Sequence, residues 1–431
     1  MTDSRPATVD SIHTLKGGRD ALFSLMRPPR WAFLFSPIFM ALLSGALMAQ
    51  ETADTTDTLP QRDLMDVLSR VIKGKPKLAD TTALPSQPKV ALTILPAISA
   101  SPSVGLLLGV SGNAVTRFGP ESETSLSTIS ASVSYTTKSQ FNVLLRSNVF
   151  TSGNRWKFEG DWRYLDTNQP TYGLGRAQPN SFESPMDFNL LRFYETVYRE
   201  TVRGLLVGFG YHMNDYFNIE DHDAKPGVTT PFLDYNGGQT VTQTLSSGIS
   251  LNLLSETRDN PINATRGHYA RLSLRMFPTW LGSDDDWQSV EAEARIYPMP
   301  FGGRSVLAFW GLAWLTFGKP PSLDLPAIGW DYNNRTGRAS AQGRIRSSDM
   351  LYLEAEYRMT LTRDGLLGAV SFLNLTSTTD PELDRWEAPD VGWGLGLRIK
   401  LNKHSRSNIT IDWGFGAEGT VGIFLGTGEA F

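Results

Sequence analysis

The clearest pattern in the chain is a strict alternation of apolar and polar residues in the segment 351–358. Its apolar positions are Leu351, Leu353, Ala355 and Tyr357, and its polar positions are Tyr352, Glu354, Glu356 and Arg358. A β-strand points successive side chains to opposite faces, so this segment predicts a strand with one apolar and one polar face. The same pattern recurs in segments of the length that crosses a bilayer, which is typical of a transmembrane β-barrel with a polar lumen.

Sixteen such segments follow residue 89. They lie near residues 90–98, 104–117, 124–136, 140–151, 155–165, 187–200, 203–216, 239–255, 267–278, 287–298, 304–316, 349–362, 366–376, 391–402, 407–415 and 419–431. Short turns such as 363–365 alternate with long connections such as 317–348, as in barrels with short periplasmic turns and longer external loops. The pattern therefore predicts an all-β fold, a 16-stranded antiparallel transmembrane β-barrel over residues 89–431.

The residues before the barrel predict export. A basic flank, an apolar run over residues 31–49 and small residues before Gln50 are typical of a secretory signal peptide over residues 1–49. Translation can also start at Met26, next to the basic flank. The alternative is a signal anchor that stays in the inner membrane. Residues 50–88 then form a periplasmic tail, in which residues 62–73 have the apolar spacing of a short helix.

The amino-acid composition agrees with a barrel and excludes several kinds of site and partner. The chain has 39 Gly, 22 Phe and 11 Trp, residues that barrels use at turns and at membrane interfaces. It has no Cys, which excludes disulfides, thiolate metal sites and a Cys nucleophile. A net charge of −4 argues against a nucleic-acid partner. Because no phosphate-binding, zinc-protease or serine-hydrolase motif occurs, we expect no enzyme activity, no cofactor and no metal site.

The long loop before the alternating segment is basic. It carries Arg338, Arg344 and Arg346, and the strand that follows carries Glu354 and Glu356 on its polar face. A buried charge without a partner costs several kcal/mol, so matched charges on loop and strand favour a loop folded into the barrel. The alternative is a solvated external loop with surface charge.

Three blocks of the chain resemble the BamA/TamA superfamily of outer-membrane barrels, the bacterial surface antigen family. The turn block is E-T-R-D-N-P with a later R-G, which includes Arg258, Asp259, Pro261 and Gly267. The loop block is R-A-S-A-Q-G-R-I-R, which includes Arg338, Gly343, Arg344 and Arg346, followed by E-A-E-Y-R from Glu354. The third block is the last strand, whose final Phe431 resembles the C-terminal assembly signal of outer-membrane barrels, although Glu429 stands where an apolar residue is usual.

The resemblance implies that a loop arginine reaches into the lumen and contacts acidic residues of the following strands. By position, Arg338 matches that arginine and Glu356 matches the strand glutamate. Residues 339–340 are Ala and Ser where the family has Gly and an aromatic residue, and Asn374 replaces an Asp of the next strand. An Arg–Asp pair cannot form at position 374, so Arg344 or Arg346 can also make the contact, and we expect Arg338, Arg344 or Arg346 to pair with Glu356.

The resemblance also implies a function and a location. It indicates a cell outer-membrane protein that aids the assembly or translocation of proteins, working at a weak seam between the first and last strands. Its expected partners are outer-membrane lipids, lipopolysaccharide and periplasmic or outer-membrane proteins. Residues 50–88 are too few for the POTRA domains of the family, which favours the alternative of a passive pore or structural barrel. A third hypothesis, an outer-membrane lipase, requires a lipid-facing Ser–His pair, for which His268 and Ser273 are the nearest candidates.

Overall fold

Antiparallel strands are the main regular secondary structure in the part of the chain that the structure, a computed structural model, describes. It describes residues 61–64, 66–67, 90–101, 104–120, 122–176, 182–202, 204–298, 305–332, 334–380, 383–403, 405–416 and 420–431. The predicted signal peptide, the start at Met26 and most of the predicted tail 50–88 lie outside these residues. No helix within the described ranges is long and apolar enough to cross a membrane.

Sixteen long strands are present. They are β1 (Ala91–Ser101), β2 (Gly105–Thr116), β3 (Ser127–Thr136), β4 (Phe141–Phe150), β5 (Trp156–Asn168), β6 (Met186–Val202), β7 (Leu205–Asp221), β8 (Gln243–Glu256), β9 (His268–Phe277), β10 (Trp287–Ile296), β11 (Ser305–Gly318), β12 (Asp349–Thr360), β13 (Leu367–Asp380), β14 (Asp390–Asn402), β15 (Ser407–Phe415) and β16 (Val421–Thr427). The predicted segments match these strands to within a few residues.

Short elements occupy the connections. A two-residue strand, Arg385–Trp386, pairs with the end of β13. The connection from β7 to β8 contains a five-residue helix, Pro231–Tyr235, which begins at the capping residue Thr230. Single 3-10 turns lie at Ser152–Asn154, Thr279–Leu281 and Ser322–Asp324.

Each strand pairs antiparallel with the next, and β16 pairs with β1, so the sheet closes into a barrel. This confirms the predicted 16-stranded antiparallel β-barrel. The closure is uneven. β1 pairs with β2 over its whole length, from Ala91↔Val115 to Ser101↔Gly105. Among the described residues, β1 and β16 share one register pair, Ala100↔Leu425.

The two faces of the wall differ in polarity, as β14 illustrates. Val391, Trp393, Leu395 and Leu397 of this strand are exposed on the outer face. Arg398, on the opposite face, is buried. Because lipid tails cannot solvate charges, the alternation places apolar side chains toward lipid and polar side chains toward the lumen.

The prediction that the last strand runs to Phe431 is wrong. β16 ends at Thr427, and Gly428 has a φ of 79°, a left-handed conformation that favours glycine. Glu429 and Phe431 are buried beyond this turn. A glutamate on the outer face would have met lipid, whereas the turn lets it reach basic residues inside the barrel.

Part of the predicted N-terminal helix lies within the described residues. Leu64, Asp66 and Val67 are helical, and the backbone N–H of Asp66 donates to the Asp63 carboxylate at 2.8 Å. The segment contacts two short turns at the periplasmic end of the barrel. The backbone N–H of Arg62 donates to the carbonyl of Asp364 at 2.9 Å, and the Lys403 ammonium donates to Asp66 at 2.9 Å.

We predict that Leu395→Arg lowers the free energy of unfolding by roughly 2–4 kcal/mol, because it places a guanidinium on the lipid face near the middle of β14. Denaturant unfolding in phospholipid vesicles measures this. The control is Leu383→Arg, an exposed leucine in the loop after β13, which should change the free energy by no more than about 0.5 kcal/mol. Equal effects of the two substitutions would contradict the assigned lipid face.

Candidate functional site in the barrel lumen

The connection from β11 to β12, residues 319–348, folds on itself and is largely buried. The backbone N–H of Ile328 donates to Ile345 at 3.0 Å, and that of Gly343 donates to Ile328 at 2.8 Å. Arg346 forms isolated β-bridges with Ala327 and with Gly175, which belongs to the β5–β6 connection. The loop is therefore held both by itself and by a second external loop.

Gly343 is required by its conformation and its surroundings. Its φ is 75°, and a Cβ atom added there would lie 2.1 Å from the side-chain nitrogen of Gln169. That side chain donates to the backbone carbonyl of Gln342. Any larger residue at position 343 would strain the backbone and displace Gln169 from the loop.

Arg338 is the loop residue with the densest set of charged contacts. Its guanidinium donates to the carboxylates of Glu354 and Glu356 on β12. It also donates to Asp412 on β15 at 3.2 Å, and it lies over the ring of Phe372 at 3.9 Å from the ring centre. The Arg338 side chain is only 6% exposed, so these contacts replace nearly all of its hydration.

Two further arginines complete what we call the lumen cluster. It consists of Arg338, Glu354, Glu356, Arg358, Arg398 and Asp412. Arg358 donates to Glu356, and Arg398 donates to Asp412. Every member is buried. Buried charges gain from one another only when the hydrogen bonds are well formed, and removing a single member leaves an uncompensated charge.

The three loop arginines have different partners. Arg338 reaches Glu356, whereas Arg344 lies over the ring of Tyr172 at 4.4 Å. Arg346 donates to the backbone carbonyl of Ser322 at 2.8 Å. A further acidic partner of Arg338 is Asp412 of β15, whereas β13 offers the neutral Asn374.

Asn374 is buried beside the loop. Both Asn374 and Ala339 adjoin Gly392, where an added Cβ would lie 2.5 Å from the Asn374 side-chain oxygen and 2.9 Å from the Ala339 Cβ. The neutral amide and the Ala339 methyl group thus lie next to the same glycine of β14. Comparison with the family motif could not reveal that the aspartate partner of Arg338 lies on β15 and not on β13, because this depends on which strands face each other across the lumen.

Glycines on β14 and β15 make room for the loop backbone. A Cβ at Gly414 would lie 2.4 Å from the carbonyl oxygen of Arg338 and 3.0 Å from the Cα of Ala339. A Cβ at Gly416 would lie 2.5 Å from the carbonyl oxygen of Ala339. The loop backbone therefore approaches the barrel wall at two positions, Gly414 and Gly416, that carry no side chain.

The turn motif lies between β8 and β9. Arg258 donates to both carboxylate oxygens of Glu256, at 2.8 and 2.7 Å. Asp259 accepts from the backbone and hydroxyl of Thr265, at 2.9 and 2.7 Å, and from Arg406 of the β14–β15 turn. Burial alone would raise the pKa of Asp259, but these hydrogen bonds outweigh burial and lower it.

Two other motif positions shape the same turn. Gly267 has a φ of 91°, and an added Cβ would lie 2.3 Å from the carbonyl oxygen of Thr257, so only glycine fits. Pro261 is exposed in the turn. This motif joins neighbouring turns, and Ala264 in the same turn accepts a hydrogen bond from Arg358 of the lumen cluster at 3.1 Å.

A second charged network fills the opposite part of the lumen. Glu291 accepts from Arg271 and lies 3.2 Å from Arg275. Glu293 accepts from Arg295. Arg163 and Asp161 form a further buried pair, in which Arg163 also donates to the loop carbonyl of Tyr332 at 2.8 Å. The sequence analysis missed Arg163, Arg271 and Asp412, although each occupies a polar position in an alternating strand.

The candidate Ser–His pair is not assembled. His268 lies 2.9 Å from the hydroxyls of both Ser255 and Thr257. The Ser273 hydroxyl donates to Asn252 at 2.7 Å and is buried. Within the described part of the chain, no group of three or more His, Asp or Glu side chains is arranged to hold a metal ion.

We predict that Arg338→Met and Glu354→Gln are strongly coupled. Each single substitution should lower the free energy of unfolding by roughly 3–5 kcal/mol, because it leaves a buried charge without its partner. The double substitution should cost less than the sum of the two. A double-mutant cycle by denaturant unfolding measures the coupling. Arg344→Met combined with Glu354→Gln is the control and should be additive within about 0.5 kcal/mol.

We predict that Gly414→Val raises the single-channel conductance. The valine side chain would overlap the backbone of Arg338 and Ala339 and would displace the loop from the lumen. Planar-bilayer recordings measure the change. The control is Gly112→Val on β2, where an added Cβ meets no atom within 4 Å. Unchanged conductance in a folded Gly414→Val barrel would show that the wall tolerates a side chain beneath the loop.

Comparison with known proteins is informative at the level of structure. No protein-family model matches the chain, and no curated protein matches its sequence. A structure of BamA from Haemophilus ducreyi lacking POTRA domains 1-3 matches with a TM-score of 0.52 at 13% identity, over 79% of this chain and 70% of that one. A structure of CdiB from Escherichia coli matches with a TM-score of 0.53 at 11% identity, over 80% of this chain and 64% of that one.

The chain thus spans less than two thirds of the CdiB structure. At such low identities the likeness shows the fold. The expectation of a barrel with this fold is confirmed. The chain is therefore a 16-stranded β-barrel with the fold that the BamA and CdiB structures share.

Proposed function

We propose that this barrel aids the assembly or translocation of proteins at the outer membrane, and that the seam between β1 and β16 is where it acts. The observation that carries the proposal is the short pairing of these strands. Apart from the register pair Ala100↔Leu425, the described seam contains a hydrogen bond from the Ser99 hydroxyl to the carbonyl of Leu425. By contrast, β15 and β16 pair from Ile409↔Thr427 to Phe415↔Val421.

A short seam has a chemical consequence in a membrane. Each backbone N–H or C=O left without a partner in hydrocarbon costs several kcal/mol. A strand edge with such groups binds another strand readily, because the new ladder satisfies them. The outer face of β1 exposes Leu92 and Ile94, so an incoming strand with alternating apolar residues would continue the apolar surface of the barrel.

The shared fold supports this proposal. BamA and CdiB are protein-assembly and translocation barrels rather than enzymes, and the sequence resemblance to the BamA/TamA superfamily points to the same class of activity. The partners that we propose are unfolded outer-membrane proteins at the seam, and lipids and lipopolysaccharide against the apolar wall. A periplasmic protein could add contacts at the turns that hold Arg62 and Asp66.

A passive pore is the second candidate, and one observation favours it. On β3, the positions that alternate with outward apolar residues are all Ser or Thr, and polar residues of β2 face two of them. Ser111 faces Ser132 and Asn113 faces Ser130, and all four are only half-buried. Lumen-facing residues of later strands, such as Arg271 and Glu291, are buried. A strip of lumen beside β1–β4 therefore has room for water, which a conducting pore requires.

We predict that a disulfide across the seam abolishes assembly activity. The chain has no Cys, so Ala100→Cys with Leu425→Cys introduces a single pair at directly opposed positions. Oxidation would fix β1 to β16 and close the edge to an incoming strand. The measurement is the rate at which an unfolded outer-membrane protein folds into vesicles that contain this barrel. The rate should fall to that of empty vesicles on oxidation and recover on reduction.

The matched control joins the same residue to its other neighbour. Leu425 also opposes Ile411 of β15, so Ile411→Cys with Leu425→Cys should leave the rate unchanged on oxidation. If oxidised seam barrels still accelerate folding, the seam is not the site of action. If vesicles with the unsubstituted barrel are no faster than empty vesicles but conduct ions, the passive pore is the better description.

A further inference from the structure

The segment that follows β16 enters the lumen and ends against the lumen cluster. The backbone N–H of Gly428 donates to the carbonyl of Asn408 at 2.9 Å, which turns the chain inward. Glu429, Ala430 and Phe431 are each at most 7% exposed. We call residues 428–431 the lumen tail. Strand pairing does not hold it, so its burial depends on side-chain contacts.

Two arginines connect the lumen tail to the residues that hold Arg338. Arg398 donates through Nε to Glu429 at 2.7 Å and through another nitrogen to Asp412. Arg358 donates to the backbone carbonyl of Phe431 at 2.7 Å and also to Glu356. Asp412 and Glu356 are both acceptors of Arg338. Each of these arginines therefore joins one tail group to one carboxylate partner of the loop.

Aromatic contacts fix the end of the lumen tail. The ring of Phe431 lies 5.3 Å from that of Trp310 and 6.5 Å from that of Tyr297, and the Arg358 guanidinium lies 5.5 Å from its centre. Trp310 and Tyr297 are buried as well. Removing the Phe431 side chain would open a cavity beside Arg358 and free its guanidinium to move.

The loop also contacts the ends of β16 directly. Arg335 donates to the carbonyl of Thr427, the last residue of that strand, at 3.0 Å. The Thr420 hydroxyl, just before the strand, donates to the carbonyl of Ala339 at 3.3 Å. The loop, the seam strand and the lumen tail thus form one connected set of contacts.

We infer that Glu429 and Phe431 are positioning residues for the loop, and that they link the state of the seam to the position of Arg338. The inference rests on the proposed function in that it takes β16 as the strand that moves. When β16 leaves β1, it withdraws the lumen tail from Arg358 and Arg398. These arginines then turn to the remaining carboxylates, Glu356 and Asp412, and compete with Arg338 for them.

The numbers of arginines and carboxylates in contact indicate whether withdrawal of the lumen tail strengthens or weakens the contact of Arg338. With the lumen tail in place, three arginines face four carboxylates, those of Glu354, Glu356, Asp412 and Glu429. Without Glu429, the same three arginines share three carboxylates. Because buried charges require well-formed partners, loss of the fourth carboxylate weakens the contact of Arg338 and favours release of the loop. Seam opening and loop release therefore favour each other.

A single reporter cysteine tests this link. Ser340 lies beside the buried Ala339 and is half-buried, and the chain has no other Cys. In a Ser340→Cys background, Glu429→Gln should raise the rate of maleimide labelling by about tenfold, because a neutral amide accepts a weaker hydrogen bond from Arg398 than a carboxylate does. Phe431→Ala is the second variant and should raise the rate in the same direction.

The control is Glu293→Gln, which alters a buried lumen glutamate that pairs with Arg295 in the second network. It should leave the labelling rate unchanged. If Glu429→Gln and Phe431→Ala both fold and label at the unsubstituted rate, the lumen tail is only a filler and the inference is overturned. If all three variants label faster, the effect is general loosening, which overturns it as well.

This readout is independent of assembly activity. Labelling reports the position of the loop whether or not the barrel accelerates folding of another protein, so the link can hold where the proposed function fails. Barrel folding is checked for each variant by its shifted electrophoretic mobility before heating. Should Glu429→Gln fail to fold, Phe431→Ala with the same control decides the outcome.

Discussion

The structure depends on the pairing of charges whose side chains are buried inside the lumen. Strand alternation sends the polar side chains inward, since lipid accepts none of them. Residues of the β11–β12 loop are buried against these side chains. Arg338 of this loop contacts the buried carboxylates of Glu354, Glu356 and Asp412, and its guanidinium takes the place of water as their hydrogen-bond donor. Removal of any one of these charges takes a partner from the others, which stay buried, at a cost of several kcal/mol.

Backbone geometry makes this pairing possible. A guanidinium can bring its nitrogens within hydrogen-bond distance of carboxylates on β12 and β15 only if the loop backbone comes close to the wall. Gly414 and Gly416 permit that approach, because any Cβ there would overlap the carbonyl oxygens of Arg338 and Ala339. Gly343 permits the tight return of the loop past Gln169. The charge network and the glycines therefore act together, since an arginine held farther away would need water to bridge the gap.

The fold followed from the sequence because its signal is local. A period of two in hydrophobicity, with alternating short and long connections, located all sixteen strands and their order. The site was only partly predictable. Glu354 and Glu356 share a face of one strand, so their common role could be expected, and the family motif identified Arg338 by position. The third acceptor, Asp412, lies three strands away from β12, and its proximity depends on the curvature of the wall. No local pattern encodes that distance, and for the same reason the sequence left open which of Arg338, Arg344 and Arg346 contacts Glu356.

The lumen tail is another feature that the sequence alone did not predict. The alternation favoured a last strand that continues to Phe431. A strand that continued would have added ladder hydrogen bonds to β15 but would have placed Glu429 in lipid. The chain instead turns at Gly428, and Glu429 gains Arg398 and Asn408 as donors. Closure of the barrel is consequently shared between a short ladder to β1 and contacts from inside, through Arg335, Ala339 and the lumen tail. Among the described residues the ladder between β1 and β16 is shorter than those between the other long strands, so the opening that we propose there would expose the fewest backbone groups to lipid.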